Sequence, residues 1–374
     1  MRYKILLIII VFVFCSQLYA QEEVLPIQRR RFVSVGSSVQ IWKRQTAPAI
    51  TQLSLPFTYI YPASERFTFS LTSIPAVSWW YGDYKVYGLS DIWVNTSWLL
   101  AEDRLLLNLG MAIPSGKTQL DQNQYRVITE GLTKNIYKFN LPNYGQGFSF
   151  RTGMVYSVPI SENIVFGLGG QYLYNSSYIP IKYNLGDNTG ETWEVSYKPG
   201  DFASVNMGLD FSLNDNMKLM LDWFYTYYFS DRLEDSLLYR AGGKTAFNAG
   251  YFYRFDDKYF WLFLQFRQRS ENQEMKNFRL ESIDAEYKYQ FDLNMVVKPV
   301  EFIQGDMLLL ADYRYYGKSD VIKTDDYLGG GGLGFIYEVT KYLNWDLRLQ
   351  YLLGQVGGVS ANGFDFSVIL KYEY

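Results

Sequence analysis

Alternation of apolar and polar residues is the feature of this sequence that most constrains its fold. Along several segments every second residue is large and apolar, and the residues between them include most of the charged and amide side chains. The pattern is clearest in the segments 164–175, 217–229, 343–352 and 364–374. On a β-strand this period of two places the two sets of side chains on opposite faces. Each segment therefore predicts a strand with one apolar face and one wet face.

The apolar faces are rich in aromatic residues, which make up 18% of the chain. No apolar run of about 20 residues follows residue 20, so the chain has no sequence typical of a transmembrane helix. A closed barrel crosses lipid with every second residue polar, because its backbone groups are paired between strands. We therefore expect an all-β, transmembrane antiparallel β-barrel. The alternative is a soluble β-sandwich, in which a second sheet would have to cover each apolar face.

The first residues have the order of a secretory signal peptide. Arg2 and Lys4 precede an apolar run, and the small residue Ala20 precedes Gln21. Residues 1–20 are therefore predicted to be a cleaved signal peptide, with the mature chain exported to the outer membrane of a Gram-negative bacterium. A lipoprotein anchored through Cys15 is the alternative, but bulky residues stand before this cysteine where small ones would be expected.

Short polar turns alternate with longer polar stretches along the rest of the chain. The short turns, expected on the periplasmic side, lie at 64–66, 102–104, 161–163, 214–216, 256–258 and 340–342. The longer stretches, expected to be extracellular loops, lie near 114–146, 177–202, 230–242, 270–281, 317–328 and 354–362. This spacing predicts about 14–16 strands in a barrel spanning residues 32–374. The lower count applies if residues 26–46 form a plug, and residues 21–31 are expected to be a periplasmic segment or part of that plug.

Composition argues against several classes of function. The chain has no histidine, and its single cysteine, Cys15, lies in the predicted signal peptide. The usual general base, the commonest metal ligand and a redox-active thiol are therefore missing, so we expect no enzyme, no cofactor and no metal site. Asp284 and Glu286 stand two residues apart, but no cleft motif accompanies them. The net charge of −3 and the scattered cations argue against nucleic acid as a partner.

A motif in the segment 84–117 resembles a known family of barrels. The segment contains Gly88 and Asp91 at the start of a strand, and Pro114, Gly116 and Lys117 at the end of the next strand. It resembles the outer-membrane barrels of the meta-pathway of phenol degradation, which are similar to FadL/TodX-like transporters of hydrophobic compounds. Leu89 and Ser90 depart from the family's pattern of a small glycine before the aspartate. The sequence 364–374 also resembles the C-terminal signature that barrels present to the assembly machinery.

The resemblance implies passive, unenergised passage of small hydrophobic or aromatic compounds across the outer membrane. The implied partners are outer-membrane lipid, a small hydrophobic ligand and, during biogenesis, the barrel-assembly machinery. A non-transport barrel that acts as a scaffold or a secretion-system component is the alternative. Turn chemistry alone also explains a proline and a glycine at a barrel rim, so the motif is compatible with a purely structural role.

Several charged residues are predicted to line the lumen because they fall on the polar face of a strand. They are Asp91, Asp222, Arg254, Glu286, Lys288, Asp312, Arg314, Asp346 and Arg348. Both signs occur in similar number, which favours pairs that brace the interior over a filter that selects one charge. The aromatic residues of 78–94 predict either a capture site at the outer end or an interfacial girdle. The glycine run 329–334 predicts a kink in the strand or a close approach to an element of the lumen.

Overall fold

Each alternating segment forms a β-strand that pairs antiparallel with the strands before and after it. The structure is a computed structural model that describes residues 31–80, 84–184, 192–276, 279–302 and 304–374. Their strands form a closed 16-stranded antiparallel β-barrel, which confirms the predicted fold class. The strands β1 to β16 are, in order, Phe32–Arg44, Ala47–Ser54 continued by Phe57–Pro62, Phe67–Ser73 continued by Pro75–Trp80, Tyr84–Leu89 continued by Ile92–Leu100, Leu105–Ile113, Ser149–Ser161, Ile164–Asn175, Phe202–Asn214, Met217–Tyr228, Lys244–Phe255, Lys258–Arg269, Tyr289–Phe302, Gly305–Tyr316, Asp326–Thr340, Leu343–Val356 and Val359–Glu373.

Pairing between β1 and β16 closes the barrel. The register runs from Phe32 opposite Glu373 to Arg44 opposite Ala361 without a break. Residues 32–44 are therefore a wall strand, and the alternative of 14 strands with this segment as a plug is wrong. The predicted signal peptide and residues 21–30 lie outside the described part of the chain.

The two faces of the strands have the polarity that the alternation predicts. On β15, Trp345 and Tyr351 point outward and are about half exposed, whereas Leu352 points inward and is fully buried. On β16, Tyr372 is exposed on the outside, and Asp365 lies inside, where it accepts a hydrogen bond from Gln40 at 3.0 Å. The outward band of large apolar side chains matches the lipid-facing surface of a transmembrane barrel.

One end of the barrel carries short turns and the other carries most of the long connections, as predicted. The segment 354–362 is an exception, because it belongs to β15 and β16 rather than to an extracellular loop. Gly357 and Gly358 make a two-residue turn with φ angles of 64° and 77°. Two successive residues with positive φ form a tight hairpin turn whose twist suits the strands.

Loop segments form two small sheets beyond the long-loop end. Lys182–Asn184 pairs with Thr192–Glu194. The second sheet has five short strands, which are Tyr197–Lys198, Asp231–Leu233, Ser236–Arg240, Asn272–Lys276 and Arg279–Ile283. The loops at this end of the barrel are thus linked to one another by backbone pairing.

The segment 114–148 turns into the barrel instead of extending outward, and we call it the inserted loop. It contains the short helix α1 (Gln122–Arg126), a π-helical turn (Val127–Leu132) and a 3-10 turn (Asn135–Tyr137). The prediction of an extracellular loop near 114–146 is therefore wrong. The loop carries apolar residues between its polar ones. These apolar side chains are buried in the lumen against apolar residues of the wall, which stabilises the inward position of the loop. Within the described residues, no helix is long and apolar enough to cross a membrane.

Candidate functional site

Three neighbouring wall strands are interrupted at the same height, beside the point where the inserted loop begins. The interruptions fall at residues 55–56 in β2, residue 74 in β3 and residues 90–91 in β4. Backbone bonds bridge the gaps, since Leu55 N donates to Pro75 O at 2.8 Å and Ser90 N donates to Ile74 O at 3.0 Å. The break in β4 turns Asp91 toward the ends of the inserted loop.

Asp91 holds both ends of the inserted loop. Its Oδ1 accepts a hydrogen bond from Gly116 N at 2.9 Å, and its Oδ2 accepts one from Gln146 N at 2.7 Å. A Cβ atom on Gly116 would lie 2.8 Å from Asp91 Oδ1 and would also contact Tyr144 O, so only glycine fits there. Asp91 of the sequence motif therefore binds Gly116, which lies 25 positions later in the chain, and Gln146, which lies 55 positions later.

Two buried glutamines fix the middle of the inserted loop. Gln52 Nε2 donates to Leu141 O at 2.8 Å, and Gln52 Oε1 accepts from Leu141 N at 2.9 Å. Gln40 makes similar bonds, donating to Lys138 O at 3.1 Å and accepting from Asn140 N at 2.8 Å. Each glutamine amide thus pairs with one N–H and one carbonyl group of the loop backbone. These bonds satisfy backbone groups that have no neighbouring strand inside the lumen.

Charged side chains on the opposite wall hold the tip of the inserted loop. Lys138 lies 3.2 Å from Asp292, which also forms an ion pair with Arg267. Arg314 makes a bidentate pair with Asp312, with both bonds at 2.9 Å, and its Nη1 donates to the carbonyl of Ile136. These cations and carboxylates are paired with each other and with the loop, as expected for charges taken out of water.

An apolar cluster fills the space between the inserted loop and the outer half of the wall. The ring of Trp42 on β1 stacks on Tyr137 of the loop, with centroids 5.0 Å apart. The wall contributes Trp42, Ile50, Ala76, Trp80, Val86, Tyr316, Leu328, Leu352, Val356 and Ala361, and the loop contributes Leu120, Val127, Ile128, Leu132, Ile136, Tyr137, Phe139, Leu141 and Tyr144. The outer half of this lumen is therefore lined by aromatic and aliphatic side chains.

A narrow cleft opens at the outer edge of this cluster, between β1 to β3 and the π-helical turn. Trp42, Ile50, Trp80 and Tyr137 form its apolar sides, and Arg44 lies at its edge together with Glu130, Pro48 and Gly131. The buried Nε1 of Trp42 has no hydrogen-bond acceptor among the described residues. The cleft thus joins the apolar cluster to the outside surface.

Six of the nine predicted lumen residues lie on the inner face of the barrel. Asp91 and Arg314 bind the inserted loop as described above, and Asp312 pairs with Arg314. Asp346 and Arg348 pair with each other at 2.7 Å, nearer the short-turn end, where both stay partly exposed. They lie in the lower part of the lumen, away from the inserted loop.

The sixth inner-face residue is Asp222, and the other three predicted residues lie at the ends of the barrel. Asp222 lies on the inner face of β9, where Gly208 leaves room for its carboxylate. Arg254 lies at the short-turn end of β10, exposed, and its Nε donates to Asp256 O at 3.1 Å. Placing Glu286 and Lys288 in the wall was wrong, because β12 begins only at Tyr289 and both residues lie exposed in the preceding loop.

The residues that hold the inserted loop were mostly missed by sequence reasoning. Gln40, Gln52, Arg267 and Asp292 all stand at inward positions of alternating strands, so their facing was readable from the sequence. Their partners were not readable, because Gln52 and Leu141 are 89 residues apart. The usable signal was one glutamine on the inward face of each of β1 and β2, because an amide is unusual on the face of a strand that packs against a core.

The aromatic residues of 78–94 divide between the two predicted roles. Trp80 points inward and is buried in the apolar cluster, whereas Tyr87 points outward and is 58% exposed.

The segment 177–202 contacts the inserted loop, because its residue Ile181 forms a β-bridge with Leu120 of that loop. This segment therefore lies against the inserted loop at the mouth rather than only extending its strand.

The glycine run in β14 permits close contact with the neighbouring wall strand β15 rather than with an element of the lumen. A Cβ atom on Gly332 would collide with the carbonyl oxygen of Leu349, and one on Gly330 would collide with that of Tyr351. Both glycines have ordinary strand conformations, so the space and not the backbone angle requires glycine.

One carboxylate in the extracellular sheet has an altered acidity. Asp231 accepts hydrogen bonds from the hydroxyl of Tyr197 at 2.6 Å and from Gly200 N at 2.7 Å. Burial raises the pKa of Asp231 above its ordinary value, although both hydrogen bonds oppose the rise. Among the described residues, no group of three or more histidine, cysteine or acidic side chains is arranged to hold a metal ion.

These features define a closed 16-stranded barrel of the outer-membrane type, with an inserted loop in the outer half of its lumen. Solved structures share the fold. The chain is similar to OprB of Pseudomonas putida, with 10% identity, a TM-score of 0.51, and coverage of 92% of this chain and 94% of that one. It is also similar to CdiB of Acinetobacter baumannii, with 11% identity and a TM-score of 0.51 over 92% of this chain and 60% of that one.

Weaker matches share the fold less closely. A Pseudomonas aeruginosa FadL homologue matches with 11% identity and a TM-score of 0.42, over 92% of this chain and 89% of that one. Identities this low establish the shared fold and nothing finer. No protein-family model matches the sequence, and no curated protein matches it either.

Proposed function

We propose that this protein is an outer-membrane channel for passive uptake of small hydrophobic or aromatic compounds. The apolar cluster in the outer half of the lumen is the observation that carries the proposal. Wall residues such as Trp42, Trp80 and Leu328 are buried against the inserted loop there. A solute that enters from outside would meet aromatic and aliphatic surface, which favours apolar compounds over sugars or ions.

The inserted loop is the element that must move for a solute to pass. It is held by hydrogen bonds such as those of Asp91 and Arg314, and backbone hydrogen bonds bridge the gaps where the wall strands beside it are interrupted. Passage between loop and wall would replace contacts within the apolar cluster by contacts with the solute. The partly exposed pair of Asp346 and Arg348 then lies in the polar lower half, on the way to the periplasm.

Export and placement in the membrane are part of the same proposal. The chain would lose residues 1–20, be folded into the outer membrane of a Gram-negative bacterium by the barrel-assembly machinery, and act without catalysis or a cofactor. N-terminal sequencing of the protein purified from outer membranes tests the first step. Gln21 is the expected first residue, and a retained leader or an acylated Cys15 would contradict it.

Uptake by cells with an intact outer membrane tests the transport proposal. Expression of the protein should speed the entry of radiolabelled toluene and leave the entry of arabinose unchanged. Trp42→Ser should reduce toluene entry because it removes the ring that stacks on Tyr137, while Trp345→Ser on the lipid face serves as the matched control. Arabinose entry without toluene entry would refute the proposal.

A scaffold or secretion-system role is the second candidate. The paired extracellular loops favour it, because they form a five-stranded sheet with Leu233, Leu237 and Leu238 partly exposed. Two results together would favour this second candidate over the first. Expression of the protein would speed the entry of neither toluene nor arabinose, and deletion of residues 231–240 would cause the same envelope defect as loss of the whole protein.

A further inference from the structure

Lys117 of the sequence motif takes no part in holding the inserted loop. Its ammonium lies 5.0 Å from the centroid of the Tyr87 ring, and the ammonium of Lys85 lies 6.0 Å from the same centroid. Within the described residues, neither ammonium has a carboxylate within 4.0 Å. Two positive charges therefore lie beside one aromatic ring, and no acidic side chain in the described part of the chain pairs with either of them.

The position of this pair on the barrel indicates what it meets. Tyr87 and Lys85 are both exposed on the outward face of β4, near the end that carries the long loops. Tyrosine rings at this height lie at the membrane interface, where lipid headgroups begin. The two ammoniums thus stand at the level of the outer-leaflet headgroups.

The fold places Lys117 at this position. A Cβ atom on Gly88 would lie 3.1 Å from Cβ of Lys117, so the absence of a side chain at Gly88 lets Lys117 pack close to β4. Asp91 fixes the preceding residue, Gly116, through its backbone N–H. Lys117 is therefore directed over Tyr87 by the same residues that turn the inserted loop into the lumen.

We propose that Lys85, Tyr87 and Lys117 form a binding site for the phosphate of an outer-leaflet glycolipid. Two ammoniums beside one ring would attract a phosphate monoester, and the exposed ring would contact the apolar part of the same lipid. The site rests on the proposed placement in the outer membrane but not on transport, because it lies on the outer surface and not in the lumen.

Native mass spectrometry of the full protein in detergent tests this site, with diphosphoryl lipid A as the probe. Lys85→Gln combined with Lys117→Gln should lower the apparent affinity about tenfold or more, since each cation near a membrane surface contributes about 1 kcal/mol. Lys341→Gln is the matched control, because Lys341 lies 4.5 Å from the ring of Tyr342 at the opposite end of the barrel. This control should bind lipid A like the unchanged protein.

Further measurements distinguish a loss of positive charge from a loss of folding, and binding of a lipid phosphate from binding of free inorganic phosphate. Lys85→Arg combined with Lys117→Arg should keep the binding, because it keeps both charges, and lipid A without phosphates should not bind. Unchanged binding by the double glutamine variant, or equal loss in Lys341→Gln, would overturn the proposal. So would displacement of lipid A by millimolar inorganic phosphate, which would identify a site for the free ion.

Discussion

Replacing Asp91 by alanine should release the ends of the inserted loop and leave its middle in place. The carboxylate accepts two backbone hydrogen bonds, from Gly116 N and Gln146 N. Hydrogen bonds to charged groups contribute about 1.5–3 kcal/mol each. The middle of the loop stays fixed because the apolar cluster and Gln52 hold it independently.

These magnitudes predict a local effect on hydrogen exchange. The amides of Gly116 and Gln146 should exchange roughly 10- to 100-fold faster in Asp91→Ala, since each loses one bond of about 1.5–3 kcal/mol. The amide of Leu141 should keep its rate. Gln52→Ala provides the reciprocal control, because it removes the acceptor for Leu141 N and leaves Asp91 intact.

Amide exchange measured by mass spectrometry on the protein in detergent micelles distinguishes the outcomes. The reasoning predicts two separate patterns, one for each variant. If Asp91→Ala leaves residues 116 and 146 protected, Asp91 does not anchor the loop. If both variants release the whole loop, the loop is one cooperative unit and the assignment of separate anchors is refuted.

Three further predictions concern the wall and the extracellular sheet. Leu347→Arg should cost about 2–4 kcal/mol of barrel stability if residue 347 lies near the membrane midplane, and Asp346→Asn should alter permeation more than folding. Refolding of each variant into lipid vesicles, followed by dye uptake, checks both. The reverse result would mean that the lumen-facing and lipid-facing residues of β15 had been exchanged. Gly332→Ala should destabilise the barrel by about 1–3 kcal/mol because its Cβ meets backbone, whereas Gly167→Ala has open space and should be neutral in the same refolding assay. Burial raises the pKa of Asp231, so the extracellular sheet should be most stable below the ordinary pKa of aspartate and should lose that stability as the pH rises through the raised pKa. Amide hydrogen-exchange rates of this sheet, corrected for their intrinsic pH dependence, should show this loss. Asp231→Asn should abolish this pH dependence.

Local patterns in the sequence were sufficient to predict the barrel wall. A period of two decides which side chain faces lipid, so the inward positions of Asp312, Arg314 and Asp346 could be predicted without knowing any partner. The same rule failed for Glu286 and Lys288 because the alternation continues past the start of a strand. Only the pairing of β12, which begins at residue 289, marks that boundary.

The inserted loop was beyond the reach of local patterns. Its residues look like those of an extracellular loop, and the contacts that draw it inward join distant parts of the chain, such as Gln40 to Lys138 and Arg314 to Ile136. Whether a loop packs inside or outside depends on the shape of the space that the wall encloses. That shape is a property of all 16 strands together.

Locking the inserted loop to the wall tests the central claim most directly. Gly131 of the loop lies against Ile50 of β2, and Cys15 is the only cysteine of the chain. Gly131→Cys combined with Ile50→Cys should therefore form a disulfide that holds the loop in place, with Gly131→Cys alone as the control. We predict that oxidation stops toluene uptake by the double variant and that reduction restores it, while the control is insensitive to both. Equal uptake by the oxidised and reduced double variant, with the disulfide verified, would contradict the claim that apolar compounds pass between this loop and the wall.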